Sequence, residues 1–200
     1  MNVRQLRVGT MANFVYLVSD EESRQALVVD SGWETAPILK AADESAVDVK
    51  YVVATHEHFD HTSTIQELAG RLGAKVVAHR ASPVACDVRV VDGSELALGR
   101  TGVRVLHTPG HTEDSICLYD GREVFTGDTL FVGTIGRFDS RRAAEVYRSL
   151  YEVILGLPEA TEMYPGHDYG DVSHRSLKEE KEANPYLGCK DLRSFLSLFS

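Results

Sequence analysis

Four side chains that can bind a metal ion lie within six consecutive residues, directly after the apolar run at residues 51–54. They are His56, His58, Asp60 and His61. His56 and His58 lie two residues apart, so on an extended segment that leaves a strand they point to the same side. Asp60 and His61 lie where a helical pattern begins and can turn towards a second point nearby. The spacing therefore favours two neighbouring cations at the end of a strand.

A His-rich polar loop without metal is the alternative interpretation of this cluster. Imidazole and carboxylate groups packed so densely would be costly to desolvate without a cation. The pattern also differs from that of zinc proteases, which place two histidines four residues apart on a helix with a glutamate after the first. Position 60 here is Asp. A metal site other than a zinc-protease site is therefore expected.

Three further residues with metal-binding side chains share one local pattern. His111, Asp128 and His167 each follow a predicted strand and are immediately preceded by glycine. A residue without a β-carbon lets the backbone turn sharply and approach a neighbour closely, which a crowded cluster requires. Taken singly, each Gly-His or Gly-Asp pair is more typical of a simple turn. Together with the first cluster, they complete a set of ligands for two cations.

This set divides into two groups with one residue between them. One cation is expected to bind His56, His58 and His111. The second is expected to bind Asp60, His61 and His167. Asp128 would bridge both cations through its two carboxylate oxygens. Because every donor is nitrogen or oxygen, the set suits two divalent ions of zinc, iron or manganese and does not choose among them.

Composition limits the class of protein that this chain can be. With 43% hydrophobic residues, 200 residues can bury a full core, and we expect one domain over residues 1–200. The net charge of -9 argues against a nucleic-acid or anionic-membrane partner. Cys86, Cys117 and Cys189 are odd in number and far apart, which is typical of reduced thiols in a cytoplasmic protein. The first residues lack the apolar segment of a signal peptide, and no window approaches the length of a membrane span.

Hydrophobic periodicity and turn residues predict two groups of strands interleaved with helices. The predicted strands are residues 3–8, 14–19, 25–29, 49–54, 75–78, 88–91, 95–98, 103–107, 115–119, 123–126 and 161–164. The predicted helices are residues 33–44, a helix after the metal cluster that ends near 70–73, one capped by Ser140 and continuing to 154, and short C-terminal helices from about 173. The first of these C-terminal helices covers 173–183, and a second lies around 192–199. This order predicts two packed sheets covered by helices, a layered α/β fold.

Several polar residues outside the cluster have simpler interpretations. Asp30 ends the third strand, where it is either a turn residue or a group that orients a metal-binding imidazole. His79 is expected to be a surface or strand-end residue, and His107 and His174 ordinary residues. The charged run at residues 178–182 is expected to be a solvated helix face.

The complete motif resembles a known superfamily. It reads His56-x-His58-x-Asp60-His61, followed by His111, Asp128 and His167, and it resembles the metallo-β-lactamase fold. Within that superfamily the likeness is to glyoxalase II (hydroxyacylglutathione hydrolase) and its relative persulfide dioxygenase, from about residue 13 to residue 185. The resemblance implies a four-layer αββα sandwich with the metals at one edge between the sheets. It also implies that Asp30 orients a metal-binding imidazole.

The resemblance extends to two substrate contacts. Arg137 matches the position of a basic glutathione-contacting residue in glyoxalase II, although a loop cation in a surface ion pair is an equal alternative. Tyr169 matches a tyrosine that contacts the same ligand. Glyoxalase II carries an additional C-terminal helical domain with basic glutathione contacts, which these 200 residues do not include. The tail through Asn184 and Pro185 is closer to persulfide dioxygenases, but the loop around Arg137 lacks their usual cysteine.

The resemblance implies a metallohydrolase that acts on a small thioester, such as a glutathione-type substrate. A hydroxide shared by two cations would attack the carbonyl, and Asp60 or Asp128 would steer it by hydrogen bonding. The alternative is a persulfide dioxygenase with a single iron held by His56, His111 and Asp128. A third interpretation, from another class, is a metal-binding module without catalysis. The sequence leaves the oligomeric state open, a homo-oligomer included.

Overall fold

The first half of the chain forms a six-stranded sheet in which neighbouring strands follow chain order. The structure, a computed structural model, describes residues 1–199. The strands are β1 (Asn2–Val8), β2 (Asn13–Ser19), β3 (Gln25–Val29), β4 (Asp48–Val53), β5 (Lys75–His79) and β6 (Val88–Val90). The first three pair antiparallel, and β3 to β6 pair parallel. Helix α1 (Ala36–Ser45) connects β3 to β4, and helices α2 (Phe59–Thr62) and α3 (Ile65–Leu72) connect β4 to β5.

The second half forms another six-stranded sheet, with the spatial order β14-β13-β10-β9-β8-β7. Its strands are β7 (Glu95–Leu98), β8 (Thr101–His107), β9 (Ile116–Tyr119), β10 (Glu123–Gly127), β13 (Glu162–Pro165) and β14 (Arg175–Ser176). A small hairpin, β11 (Leu130–Phe131) and β12 (Thr134–Ile135), follows β10. Only β10 and β13 pair parallel in this sheet. The helical connection between them contains a 3-10 turn (Ser140–Arg142), α4 (Ala143–Arg148) and a π-helix (Ser149–Ile154).

Alternation along the strands separates three apolar layers. In β2, Phe14 and Tyr16 pack between the two sheets, whereas Val15 and Leu17 pack under α1 and α3. In the second sheet, Leu118 faces the inter-sheet layer and Cys117 packs against the helices on the outer face. The C-terminal helices α5 (Leu177–Ala183) and α6 (Leu192–Leu196), with the 3-10 turn Ser197–Phe199, complete that outer layer. The predicted four-layer αββα sandwich is confirmed.

Helix boundaries differ from the prediction where local geometry intervenes. The first helix begins at Ala36 instead of residue 33, because Trp33 has a positive φ of 67° that a right-handed helix cannot contain. The helix predicted from Ser140 is capped instead by the Asp139 carboxylate, which accepts from the Arg141 backbone N–H. The helix predicted over 173–183 begins only at Leu177, after a Ser176 capping box and the short strand β14.

The domain predicted over residues 1–200 includes Ser200, which lies outside the described residues. Within residues 1–199, no helix is both long enough and apolar enough to cross a membrane.

Candidate metal centre

The seven predicted ligand side chains lie together beyond the ends of strands from both sheets. They form two groups, and within each group one ligand atom per residue lies within 4.8 Å of the others. The first group is His56, His58, His111 and Asp128. The second group is Asp60, His61 and His167. These groups follow the division expected from the sequence, with Asp128 placed beside the first three histidines, and metal binding by them stays a prediction.

Asp128 also faces the second group. Its Oδ1 lies 3.3 Å from His61 Nε2, and its Oδ2 lies 3.4 Å from His167 Nε2 and 3.6 Å from His111 Nε2. The two oxygens of one carboxylate thus reach imidazoles of both groups. This position is the one that a bridging ligand requires, and bridging itself stays a prediction.

The parallel pairing of β10 and β13 brings Asp128 and His167 together. Gly127 lies opposite Pro165 in the register, so the residues that follow leave the sheet side by side. A β-carbon on Gly166 would lie 2.4 Å from Asp128 Oδ1, a distance that no larger residue can accommodate. Gly127 has a φ of +48°. The close approach expected from the glycines that precede these ligands is therefore present.

Hydrogen bonds fix the orientation of three ligand rings. The Nδ1 of His111 lies 2.6 Å from the carbonyl oxygen of Arg137, and the Nδ1 of His167 lies 2.9 Å from that of Met11. Because a carbonyl can only accept, each Nδ1 carries a proton, and each Nε2 faces the cluster, where the neutral ring offers a lone pair. His61 Nδ1 lies 2.8 Å from Asp30 Oδ2 in the same manner. These are the arrangements that metal-binding histidines ordinarily have.

Asp30 is held in place by the residue that precedes the cluster. Its carboxylate accepts from the Thr55 backbone N–H at 2.8 Å and from the Thr55 hydroxyl at 3.0 Å. Asp30 is 2% exposed and has a φ of 63°, a conformation that aspartate tolerates better than most residues. Of the two interpretations left open for Asp30, the one in which it orients an imidazole, that of His61, fits its contacts.

Two observations test whether the cluster fits metal ions. Among residues 1–199, His56 Nε2 and Asp128 Oδ1 are buried without a hydrogen-bond partner. Ring nitrogens also face each other, at 2.9 Å between His58 Nδ1 and His111 Nε2 and at 3.1 Å between His61 Nε2 and His167 Nε2. His56 Nε2 and Asp128 Oδ1 are buried acceptors without donors, which is costly unless a cation satisfies them. The all-nitrogen-and-oxygen donor set fits zinc, iron or manganese.

Electrostatics favour the metal-binding forms of His56 and Asp128, whereas His167 holds a proton more tightly than usual. Burial lowers the pKa of His56 well below its usual value, so its imidazole is neutral. Burial acts to raise the pKa of Asp128, but the facing rings of His61 and His167 lower it, and the carboxylate is ionised at neutral pH. Burial acts to lower the pKa of His167, but hydrogen bonds with Asp128 and Asp60 raise it to about 9. Protons and cations therefore compete for the Nε2 of His167.

A cavity of about 320 Å³ opens onto the cluster. Arg137 and Tyr169 both lie in its wall, as does Met11. The Tyr169 ring stacks on His167 with centroids 4.6 Å apart, and the residue is 52% exposed. Within the part of the chain that the structure describes, the Arg137 side chain has no ion pair, so the alternative of a surface ion pair is not supported. Substrate contact by both residues stays a prediction.

One residue that supports the cluster was missed from the sequence. The Asn13 Nδ2 group donates to Asp60 Oδ2 at 2.9 Å, and its Oδ1 accepts from Trp33 Nε1 at 2.7 Å. Asn13 is 1% exposed at the start of β2. Its partner in the cluster lies 47 residues away, and no local pattern in the sequence marks the contact.

The interpretation of residues 178–182 as a solvated face is wrong for one of them, because Glu180 is fully buried. Glu180 Oε1 accepts from the Gly133 backbone N–H at 2.7 Å and from Asn184 Nδ2 at 2.6 Å. Asn184 Nδ2 also donates to the Thr134 carbonyl at 3.1 Å. Helix α5 thereby holds the β11–β12 hairpin, which leads into the loop of Arg137.

His79 also differs from the expectation of a surface residue, although it does end a strand. It is 4% exposed, and its ring stacks on that of His107 with centroids 4.1 Å apart. Neither residue, nor His174, belongs to a ligand group among residues 1–199. Their interpretation as residues outside the cluster is consistent with this placement.

The fold and the cluster together are those of a metal-binding αββα protein. Residues 8–183 match the family model described as the metallo-beta-lactamase superfamily. The chain belongs to this superfamily.

The similar proteins in the superfamily are named for two different activities. A probable hydroxyacylglutathione hydrolase of Schizosaccharomyces pombe is 37% identical over 189 residues, which cover 90% of this chain and 74% of that protein. Human mitochondrial persulfide dioxygenase is 34% identical over 191 residues, which cover 92% of this chain and 75% of that protein. The crystal structure of ETHE1 from Myxococcus xanthus has a TM-score of 0.91 and 37% identity, and the match covers 99% of this chain and 89% of that one. The comparisons thus establish the superfamily and the fold.

Proposed function

We propose that this protein is a metal-dependent hydrolase of a small thioester, with a glutathione-type compound as one candidate substrate. The observation that supports it is the complete pair of ligand groups, with the Asp128 carboxylate in contact with imidazoles of both. A protein that needed only one cation would not require Asp60, His61 and His167 as a second convergent group. The hydroxyacylglutathione hydrolase among the relatives supports the choice of a thioester.

The residues have distinct roles in this proposal. Divalent cations in such a centre make water more acidic and polarise a carbonyl oxygen. The carboxylates of Asp60 and Asp128 accept hydrogen bonds from the attacking water and hold it towards the substrate carbon. Arg137 and Tyr169, in the cavity wall, bind the part of the substrate that does not react. A thiolate leaves without protonation more readily than an alkoxide, so the site needs no general acid.

The test is metal analysis of the protein produced in its native host, combined with turnover of a thioester. We expect two divalent metals per chain, zinc before iron or manganese, and hydrolysis that a chelator abolishes. One iron per chain with oxygen uptake on glutathione persulfide would contradict the hydrolase. Absence of turnover on thioester, lactone and phosphoester substrates would favour a binding module without catalysis.

Persulfide dioxygenase is the second candidate function. It is supported by the TM-score of 0.91 with ETHE1 from Myxococcus xanthus and by the human relative. In that case His56, His111 and Asp128 would hold a single iron and leave positions open for oxygen and sulfur. The cytoplasmic location and the absence of nucleic-acid and membrane partners stay predictions for either function.

A further inference from the structure

A second cavity, of about 370 Å³, lies beside the cavity that opens onto the metal centre. The two cavities share three wall residues, Thr134, Ile135 and Arg137. They are therefore neighbours along the β12 strand and the loop that follows it.

Three of the eight residues that line the second cavity are aromatic. The rings of Phe138 and Phe199 meet edge to face with centroids 4.9 Å apart, and Tyr186 stacks parallel to Phe199 at 5.8 Å. Phe199 is 39% exposed. The aromatic groove is defined by these three rings and Ser140. A concave, mostly apolar site of this size is typical of small-molecule binding.

Arg137 lies where the two cavities meet. Its side chain is exposed and, among residues 1–199, makes no ion pair or hydrogen bond with protein groups. An unpaired guanidinium beside aromatic rings favours a ligand with an anionic or strongly polar group next to an apolar one. Glutathione alone, which is polar throughout, would leave the aromatic groove unfilled.

We propose that the aromatic groove is a substrate subsite that binds an aromatic or medium-length aliphatic group attached to the reacting carbonyl or its sulfur. The inference rests on the proposed function, because it places the reacting bond at the metal centre. It makes Phe199 a specificity-determining residue, and it assigns the protein to thioesters more apolar than a glutathione thioester of a short hydroxy acid. The apolar group reaches the groove from either side of the thioester bond, and the assay distinguishes the two.

The experiment uses the metal-loaded protein and two series of thioesters. In the first series, N-acetylcysteamine carries acetyl, hexanoyl or phenylacetyl groups; in the second, an acetyl group is carried by thiols of increasing apolar size. We expect kcat/KM to rise by about tenfold or more with apolar size in one series, since each buried methylene adds favourable transfer free energy. The series that shows the rise identifies which side of the bond occupies the groove.

Two substitutions at one position test the groove directly. Ser140→Trp places a bulky ring in the groove, and the Ser140 side chain makes no hydrogen bond among the described residues that the substitution would break. It should abolish the preference for larger groups. Ser140→Ala keeps the groove open and should retain that preference. Equal activity of wild type and Ser140→Trp across both series would overturn the proposal.

A second pair of variants excludes an indirect effect through the fold. Phe199→Ala removes one wall of the groove, whereas Leu198→Ala removes an apolar side chain of similar exposure, 48%, that does not line it. Only Phe199→Ala should weaken the size preference, with metal content unchanged in both. The proposal is contradicted if the two variants have the same effect.

Binding of unreactive thioethers separates this inference from the proposed function. S-hexyl-N-acetylcysteamine should bind more tightly than the S-methyl compound, and Ser140→Trp should remove the difference. If the thioethers show this difference but the protein hydrolyses no thioester, the subsite is supported and the proposed function is contradicted. If thioesters are hydrolysed without size preference and the two thioethers bind equally, the subsite is contradicted and the proposed function is supported.

Discussion

Replacement of the buried Glu180 is the sharpest test of how the cavity loop is held. In Glu180→Ala, the Gly133 N–H and the Asn184 amide lose an acceptor that lies 2.7 and 2.6 Å away. Hydrogen bonds to a charged group each contribute about 1.5–3 kcal/mol. Removal of a buried carboxylate recovers part of its desolvation cost, so we expect a net loss of about 2–4 kcal/mol in the free energy of unfolding.

Thermal unfolding with a matched control measures this loss. For a chain of this size, a loss of that magnitude corresponds to a decrease of roughly 5–12 °C in Tm. Glu182→Ala, an exposed residue of the same helix, should change the free energy of unfolding by less than about 0.5 kcal/mol. If the two variants are equally stable, Glu180 does not hold the hairpin and our explanation is wrong.

The pH dependence of this difference has a definite sign. Burial raises the pKa of Glu180 above its usual value, against the opposing hydrogen bonds from Asn184 and Gly133. A carboxyl group whose pKa is raised in the folded state contributes stability at acidic pH that is lost as the pH rises through the folded pKa. The difference between wild type and Glu180→Ala should therefore be larger at about pH 5 than at about pH 8.

Three other predictions concern the metal centre and the thiols. Asp128→Ala should lower metal content and turnover together, because one carboxylate faces both ligand groups; retention of two metals with full turnover would show that Asp128 does not bridge. Arg137→Ala should raise KM for an anionic thioester by roughly tenfold and leave that for a neutral one unchanged; an equal KM for both substrates would make Arg137 an ordinary loop cation. Burial raises the pKa of the Cys117 thiol to about 11, so iodoacetamide at about pH 8 should modify Cys86 and Cys189 in the native protein and leave Cys117 free. Mass spectrometry checks this, and rapid native modification of Cys117 would refute its burial.

The sheets and the convergence of the candidate ligands could be predicted because their signals are local. Strands such as β2 alternate between two apolar layers within a few residues. His56, His58, Asp60 and His61 are adjacent in the sequence, and the glycine before each distant ligand marks a close approach. Local patterns of this kind can be interpreted from the sequence without knowing which distant residues they contact.

The supporting residues could not be predicted, because their partners lie far along the chain. Asn13 contacts Asp60 across 47 residues, and Glu180 contacts Gly133 across the same separation. A lone asparagine in a strand, or a glutamate in a charged run, has no local feature that identifies a buried partner. The start of α1 was misplaced for a similar reason, since the positive φ of Trp33 is not encoded by its residue type.

The main chain, not the side chain, of Met11 and Arg137 orients ligand rings. Their carbonyls hold His167 and His111, while both residues also line the cavity. Under the proposed function, substitution at these two positions would change which molecules the protein accepts without loosening the histidines. Insertions or deletions in the same loops would move the carbonyls and disturb the centre. Point substitutions at these positions would therefore alter the substrate range, while the backbone carbonyls keep the orientation of the His111 and His167 rings.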